Sequence, residues 1–177
     1  MDVTGEIFVP CDVVCPSGGV LEGEPLFDGY QDDFNGGCNS PEFGNPFQDI
    51  WGTGGNYVDF CGTGGWVAAG SKDTDWFNVV LDEDGAGILT TLIEGEVPMW
   101  HFELAPLDCA VTDIVQYVTP GECEAAGLTI FANPGDSVWL WAGVQAYDPP
   151  PGYVVGDEID YLLQIEGLED GIVDTES

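Results

Sequence analysis

A chain of 177 residues with 44% hydrophobic side chains is long enough to bury one core, and no Pro- or Ser-rich linker divides it. Its formal charge of -32 comes from 33 carboxylates opposed by Lys72 alone. Nucleic acid and anionic membrane are both repelled from such a surface, which excludes a phosphate-binding function. No apolar run reaches the roughly 18 to 20 residues that a membrane-spanning helix needs. Salt or bound cations relieve self-repulsion on this scale, so a salty or calcium-rich setting fits. A halophilic or marine source accounts for the bulk acidity equally well, and leaves only the clustered carboxylates to be explained.

In chain order, residues 1–14 read as an N-terminal extension. They lack the basic, then apolar, pattern of an export signal, so Met1 is expected to stand where such a signal has been removed. Cys11 and Cys15 open a set of six completed by Cys38, Cys61, Cys109 and Cys123. The even count, with no Cys-x-x-Cys pair and no His nearby, disfavours zinc and thiol redox chemistry. It favours disulfides in an oxidising compartment, hence a secreted, extracellular or cell-surface protein. Six cysteines allow fifteen pairings. The expected set is Cys109–Cys123, whose members flank a predicted hairpin, with Cys38–Cys61 and Cys11–Cys15.

Residues 16–56 are rich in Gly, Asn, Asp and Pro, with isolated aromatics such as Phe27, Tyr30, Phe34, Phe43, Phe47 and Trp51. An irregular segment this long in a compact domain needs pinning, and disulfides and bound calcium are the available pins. Within it Glu22, Glu24, Asp28, Asp32 and Asp33 fall close together, followed by Asn35, Gly36, Gly37 and Asn39. Calcium takes about six to eight oxygens from carboxylates, amides and carbonyls on a backbone free to curl, and Gly36 and Gly37 supply the curl. Tyr30 stands where an EF-hand would need an oxygen ligand, so the site would be non-helical. The alternative is a solvated acidic loop.

From residue 57 onward, short alternating runs replace helical periodicity, and 26 Gly and 12 Pro interrupt any amphipathic stripe. Predicted strands are 57–60, 66–69, 76–81, 87–93, 99–105, 113–119, 127–132, 137–144 and 158–166, a sandwich-like spacing. Alternation assigns Phe77, Val79 and Leu81 to a core face, likewise Trp100, Phe102 and Leu104, and Ile159, Tyr161, Leu163 and Ile165. Asp82-Glu83-Asp84-Gly85 reads as a hairpin turn, because Asp-Gly supplies positive φ. His101, opposite Trp100 and Phe102, is expected at the surface. Trp139 and Trp141 share one face of a strand whose other face is also apolar, and pack in a core or form a platform for sugar rings. Trp51 and Trp66, beside glycines in less regular stretches, are the better candidates for ligand-contacting aromatics. Residues 167–177 form an acidic tail or linker stub.

Catalytic signatures are weak. No Ser sits in a Gly-x-Ser-x-Gly elbow, His101 is the sole candidate base, and Asp73-Thr74-Asp75 lacks the Gly that an aspartic-protease turn needs after Thr. A carboxylate-pair hydrolase is the least favoured reading.

Four motifs taken in order carry a resemblance: EGEP at 22–25, DDFNGGCNS at 32–40, CGTGGW at 61–66 and KDTDWF at 72–77. Over residues 15–166 the chain resembles the bacterial pre-peptidase C-terminal (PPC) domain family, in particular its cysteine-containing branch in large secreted bacterial proteins. The resemblance implies a single all-β domain, an antiparallel, jelly-roll-like β-sandwich stapled by disulfides. In related collagenase-type domains calcium lies between an acidic N-terminal segment and the loop ahead of the Asp-x-Asp-aromatic strand. Carried over, that pattern implies calcium ligands at Glu22, Glu24, Asp32, Asp33, Asp73 and Asp75. Leu26 stands where a Cys commonly follows Glu-Pro, and the early Cys11 and Cys15 also depart from the pattern, which bears on the disulfide pairing.

The expectation is therefore a non-enzymatic, secreted, calcium-binding accessory or adhesion module, whose partners are an extracellular polymer, a surface or other copies of itself. A self-assembling structural protein is the alternative.

Overall fold

The computed structural model describes residues 11–24, 32–51, 57–81, 83 and 87–168. Its strands are β1 (Val20–Leu21), β2 (Gln48–Trp51), β3 (Tyr57–Ala68), β4 (Ser71–Lys72), β5 (Thr74–Val80), β6 (Ile88–Gly95), β7 (Met99–Ala105), β8 (Asp113–Val118), β9 (Ala125–Ala126), β10 (Thr129–Phe131), β11 (Ser137–Val144) and β12 (Glu158–Leu168). They form two facing sheets. One runs β1-β3-β12-β6-β10, with β4 on β3 and β9 on β6; the other runs β2-β5-β11-β7-β8. The pairings are antiparallel except for β1 with β3 and β2 with β5, so both sheets are mixed.

The period-2 pattern puts apolar residues between the sheets. Ile159, Tyr161, Leu163 and Ile165 of β12 and Phe77 and Val79 of β5 are buried. The rings of Phe60 on β3 and Phe77 on β5 meet edge to face across the sandwich, 5.0 Å apart.

Several expectations need correction. The predicted strands 57–60 and 66–69 are one strand, β3, which runs through three glycines. A Cβ at Gly62 would collide with the Tyr161 ring and one at Gly65 with the Asp157 carbonyl, so these glycines permit close approach rather than breaking the strand. Most of the Asp82–Gly85 turn lies outside the described residues, but the strands it joins do not pair: β5 belongs to one sheet and β6 to the other. On β7 the faces are reversed. Met99 and His101 point inward, Trp100 and Phe102 outward, and the register shifts at Glu103/Leu104. The outward set, Trp100, Phe102 and Leu104, is the more apolar, so alternation alone selected the wrong face: the outer aromatics are covered by Trp141 and its neighbours, and His101 is accommodated inside by hydrogen bonds. Trp139 and Trp141 share the outer face, where Trp141 stacks on Phe102 at 4.6 Å.

All six cysteines are paired, but none as expected: the bonds are Cys11–Cys123, Cys15–Cys61 and Cys38–Cys109. The expected Cys109–Cys123 bond fails because β8 separates them. Its six residues extend over about 20 Å, whereas a disulfide needs Cα atoms within about 7 Å. The three bonds instead tie the N-terminal and irregular segments onto the sandwich. Residues 11–14 are thereby held to the domain: Val13 is buried and its N–H donates to Glu96. Residues 169–177 lie outside the described residues, and β12 carries the fold to Leu168.

Candidate metal centre

Four segments converge on one acidic cluster. β1 aligns in parallel with β3, and the Glu22 N–H donates to the Cys61 carbonyl, which places the Glu22 side chain beside β3. There its Oε2 accepts from the Thr63 N–H at 2.8 Å and hydroxyl at 3.1 Å, while Oε1 accepts from the Asn35 amide at 2.7 Å. Asp32 accepts at Oδ1 from the backbone N–H groups of Phe34 and Asn35. The adjoining turn is locked by Gly36 and Gly37, where a Cβ would strike the Asp32 carboxylate and the Trp76 ring respectively, and Gly37 has φ near +50°. The Asn35 carbonyl accepts from Trp76 N–H, and Asn39 donates to Thr74, so the irregular segment is hydrogen-bonded to the start of β5.

Asp73 and Asp75 come from that start. Asp73 is anchored through its N–H to the Gly65 carbonyl, and Asp75, 1% exposed at residue level, accepts from the Tyr161 hydroxyl at 2.6 Å. The carboxylate oxygens of Glu22, Glu24 and Asp75 lie within 4.8 Å of one another, as do those of Glu24, Asp32 and Asp73. Glu24 belongs to both groups. A cavity of about 330 Å³ lined by Glu22, Glu24, Thr63, Asp160 and Tyr161 adjoins them.

What distinguishes the cluster is its unmet hydrogen bonding. Both Glu24 oxygens, Asp32 Oδ2, Asn35 Oδ1, Asp73 Oδ1 and Asp75 Oδ1 are buried without a donor. Burial raises the carboxyls of Glu24, Asp73, Asp75 and Asp32 above their ordinary range, Glu24 to about 10. Neighbouring carboxylates push Glu24, Asp73 and Asp75 further the same way.

Of the six carboxylates singled out in the sequence, Glu22, Glu24, Asp32, Asp73 and Asp75 meet here. Asp33 is exposed and outside both groups, because its neighbour Asp32 takes the inward position of the turn. Asp28 lies outside the described residues. Sequence reasoning missed Thr63 and Tyr161, which hold Glu22 and Asp75. The signal for Thr63 was its place in CGTGGW; that for Tyr161 was Gly62, whose missing side chain the tyrosine ring covers.

The other candidates resolve differently. Trp66, expected at the surface, is 1% exposed, packs on Tyr153 and donates its indole N–H to the Ala146 carbonyl. The Trp51 side chain lies outside the described residues. His101, also expected at the surface, is fully buried. Its Nδ1 faces the Trp141 carbonyl at 3.0 Å and its Nε2 the Thr91 hydroxyl at 2.8 Å. A carbonyl only accepts, so Nδ1 carries the proton and Nε2 accepts from Thr91. Burial pulls the imidazole down to about 4. Lys72, next to Asp73, turns the other way. Its ammonium donates to the Val144 carbonyl at 2.6 Å and lies 4.3 Å from the Trp100 and Tyr147 ring centres, and burial lowers it to about 8.

Fold and site together define a disulfide-stapled, extracytoplasmic β-sandwich with a buried acidic cluster. No protein-family model and no curated protein matches the chain. Among solved structures it is similar to the Aeromonas hydrophila periplasmic inhibitor of g-type lysozyme, at 14% identity over 69% of this chain and 97% of the other, with a TM-score of 0.42.

Proposed function

We propose that the chain is a non-catalytic, secreted accessory or adhesion module whose irregular N-terminal segment is braced onto the sandwich by calcium. The observation that carries this reading is the set of six buried oxygens without donors, from Glu24, Asp32, Asn35, Asp73 and Asp75. All are hard oxygen donors, with no imidazole or thiolate among them, and their number suits calcium, which takes about six to eight. The ion would neutralise repelling carboxylates and join Glu22, Glu24 and Asp32 to the loop before β5, a coupling of binding to stability. The PPC-like motifs around Glu22, Asp32 and Asp73 support the same reading.

Thermal unfolding in calcium, magnesium and sodium chloride at matched ionic strength is the test. Calcium is expected to raise the melting temperature in a saturable way, as RT ln(1 + [L]/Kd) requires, beyond what sodium chloride achieves. Equal gains from calcium and sodium would reduce the cluster to a screened acidic patch. Self-assembly is favoured by one observation: edge strand β8 exposes Ile114, Val115 and Tyr117. Sedimentation with and without calcium separates the two readings, a persistent monomer supporting the module and a calcium-triggered polymer the assembly.

A further inference from the structure

The outer face of the five-stranded sheet, away from the acidic cluster's oxygens, carries an aromatic trough. Its floor is Trp100 and Phe102 of β7, whose rings are 5.6 Å apart and tilted by only 36°. Tyr147 stands at 82° to the Trp100 ring on one side, and Tyr117 of β8 at 86° to the Phe102 ring on the other. Ile114, Thr119 and Gln145 complete a cavity of about 570 Å³, within the range of small-ligand sites. Tyr117 is 63% and Tyr147 56% exposed, so both rings are open to a ligand.

The chemistry of the lining selects its occupant. Among the described residues no carboxylate contributes to it, in a chain with 33 of them. A polyanion is repelled by the net charge, and a cationic ligand meets the Lys72 ammonium, already seated against the Trp100 and Tyr147 rings. A second copy would bring another -32 against the same face. What remains suited is an uncharged molecule with an apolar face and a polar rim. A pyranose ring is such a molecule: its C–H face lies on aromatic floors, and its hydroxyls reach tyrosine, threonine and amide groups at the edge.

We propose that this trough binds neutral polysaccharide. The proposal deepens the adhesion half of the proposed function, while calcium-dependent melting tests the other half, so either can fail alone. The experiment is native affinity electrophoresis of the full chain through hydroxyethyl cellulose, pullulan or galactomannan, with alginate as the polyanion. At least one neutral polymer is expected to retard the protein and alginate is not. Tyr117→Ala and Tyr147→Ala should each weaken that retention about tenfold, the scale of one lost ring contact. Tyr117→Phe should keep most of it, and Phe131→Ala, an exposed aromatic outside the trough, should keep all of it. Unchanged melting temperatures would show that the tyrosine variants fold. Absence of retardation in all three neutral polymers overturns the proposal, as does equal retardation by alginate or retention unaffected by both alanine variants. Sedimentation that shows a dimer lost in Tyr117→Ala would assign the face to a second copy and overturn it equally.

Discussion

Two buried polar regions of this molecule obey opposite rules. Between the sheets, Leu128 N–H donates to the Thr91 hydroxyl, Thr91 to His101 Nε2, and His101 Nδ1 to the Trp141 carbonyl, so each group in the chain has its partner within the protein. Near Asp73 and Asp75, six buried oxygens have no donor and the surrounding groups share their sign. A satisfied buried network specifies the core and requires nothing further, whereas an unsatisfied one destabilises the fold until a proton or a cation completes it. The difference separates a structural polar group from a binding site more sharply than residue type does: the lone histidine is the structural one.

The largest effect is expected from breaking the satisfied network. His101→Ala leaves the Thr91 hydroxyl without its acceptor and takes the imidazole donor from the Trp141 carbonyl, beside a cavity, and should cost about 3–5 kcal/mol, read as a lower urea midpoint with an unchanged slope. Next comes pH. A histidine lowered from an ordinary 6.5 to about 4 binds fewer protons folded than unfolded in that interval. Its contribution is therefore present above pH 6.5 and lost as pH falls toward 4, by at most roughly 3 kcal/mol. The raised carboxyls of Glu24, Asp73 and Asp75 act in the opposite sense in the metal-free chain. They stabilise below their unfolded values near 4 and lose that contribution as pH rises. With calcium, protons compete with the ion, so acidification should destabilise more steeply in calcium than in chelator. Parallel pH profiles of stability in the two buffers would contradict the comparison.

A smaller effect carries an unusual sign. Asp75→Asn keeps the shape but removes a carboxyl whose ionisation burial and its acidic neighbours oppose, so it should raise the melting temperature in chelator, by the equivalent of about 1 kcal/mol, and reduce the gain from calcium. Destabilisation in both buffers would make Asp75 a purely structural partner of Tyr161. The smallest effect is expected at Asp33, exposed beside the buried Asp32: Asp33→Asn should change stability by less than about 0.5 kcal/mol and leave the calcium gain intact.

Part of this protein was legible in the chain alone, wherever local periodicity or a simple count decides the outcome. Met99–Ala105 and Ser137–Val144 are strands with the predicted bounds, since alternation at period 2 is a property of neighbouring residues. The even cysteine count pointed to full oxidation, and the motifs around Glu22, Asp32 and Asp73 pointed to segments that do meet. Packing decided the rest. Which face of β7 turns inward depended on the opposing sheet, because Thr91 there supplies the hydrogen bond that lets His101 be buried. Which cysteines pair depended on where β8 carries Cys109 and Cys123. Whether Asp32 or Asp33 joins the cluster was set by a turn closed around Gly36, and whether His101 is wet or dry by Thr91 on the facing sheet. Apart from that turn, each of these is a contact between residues distant in the chain, and its energy exists only once the two sheets have packed.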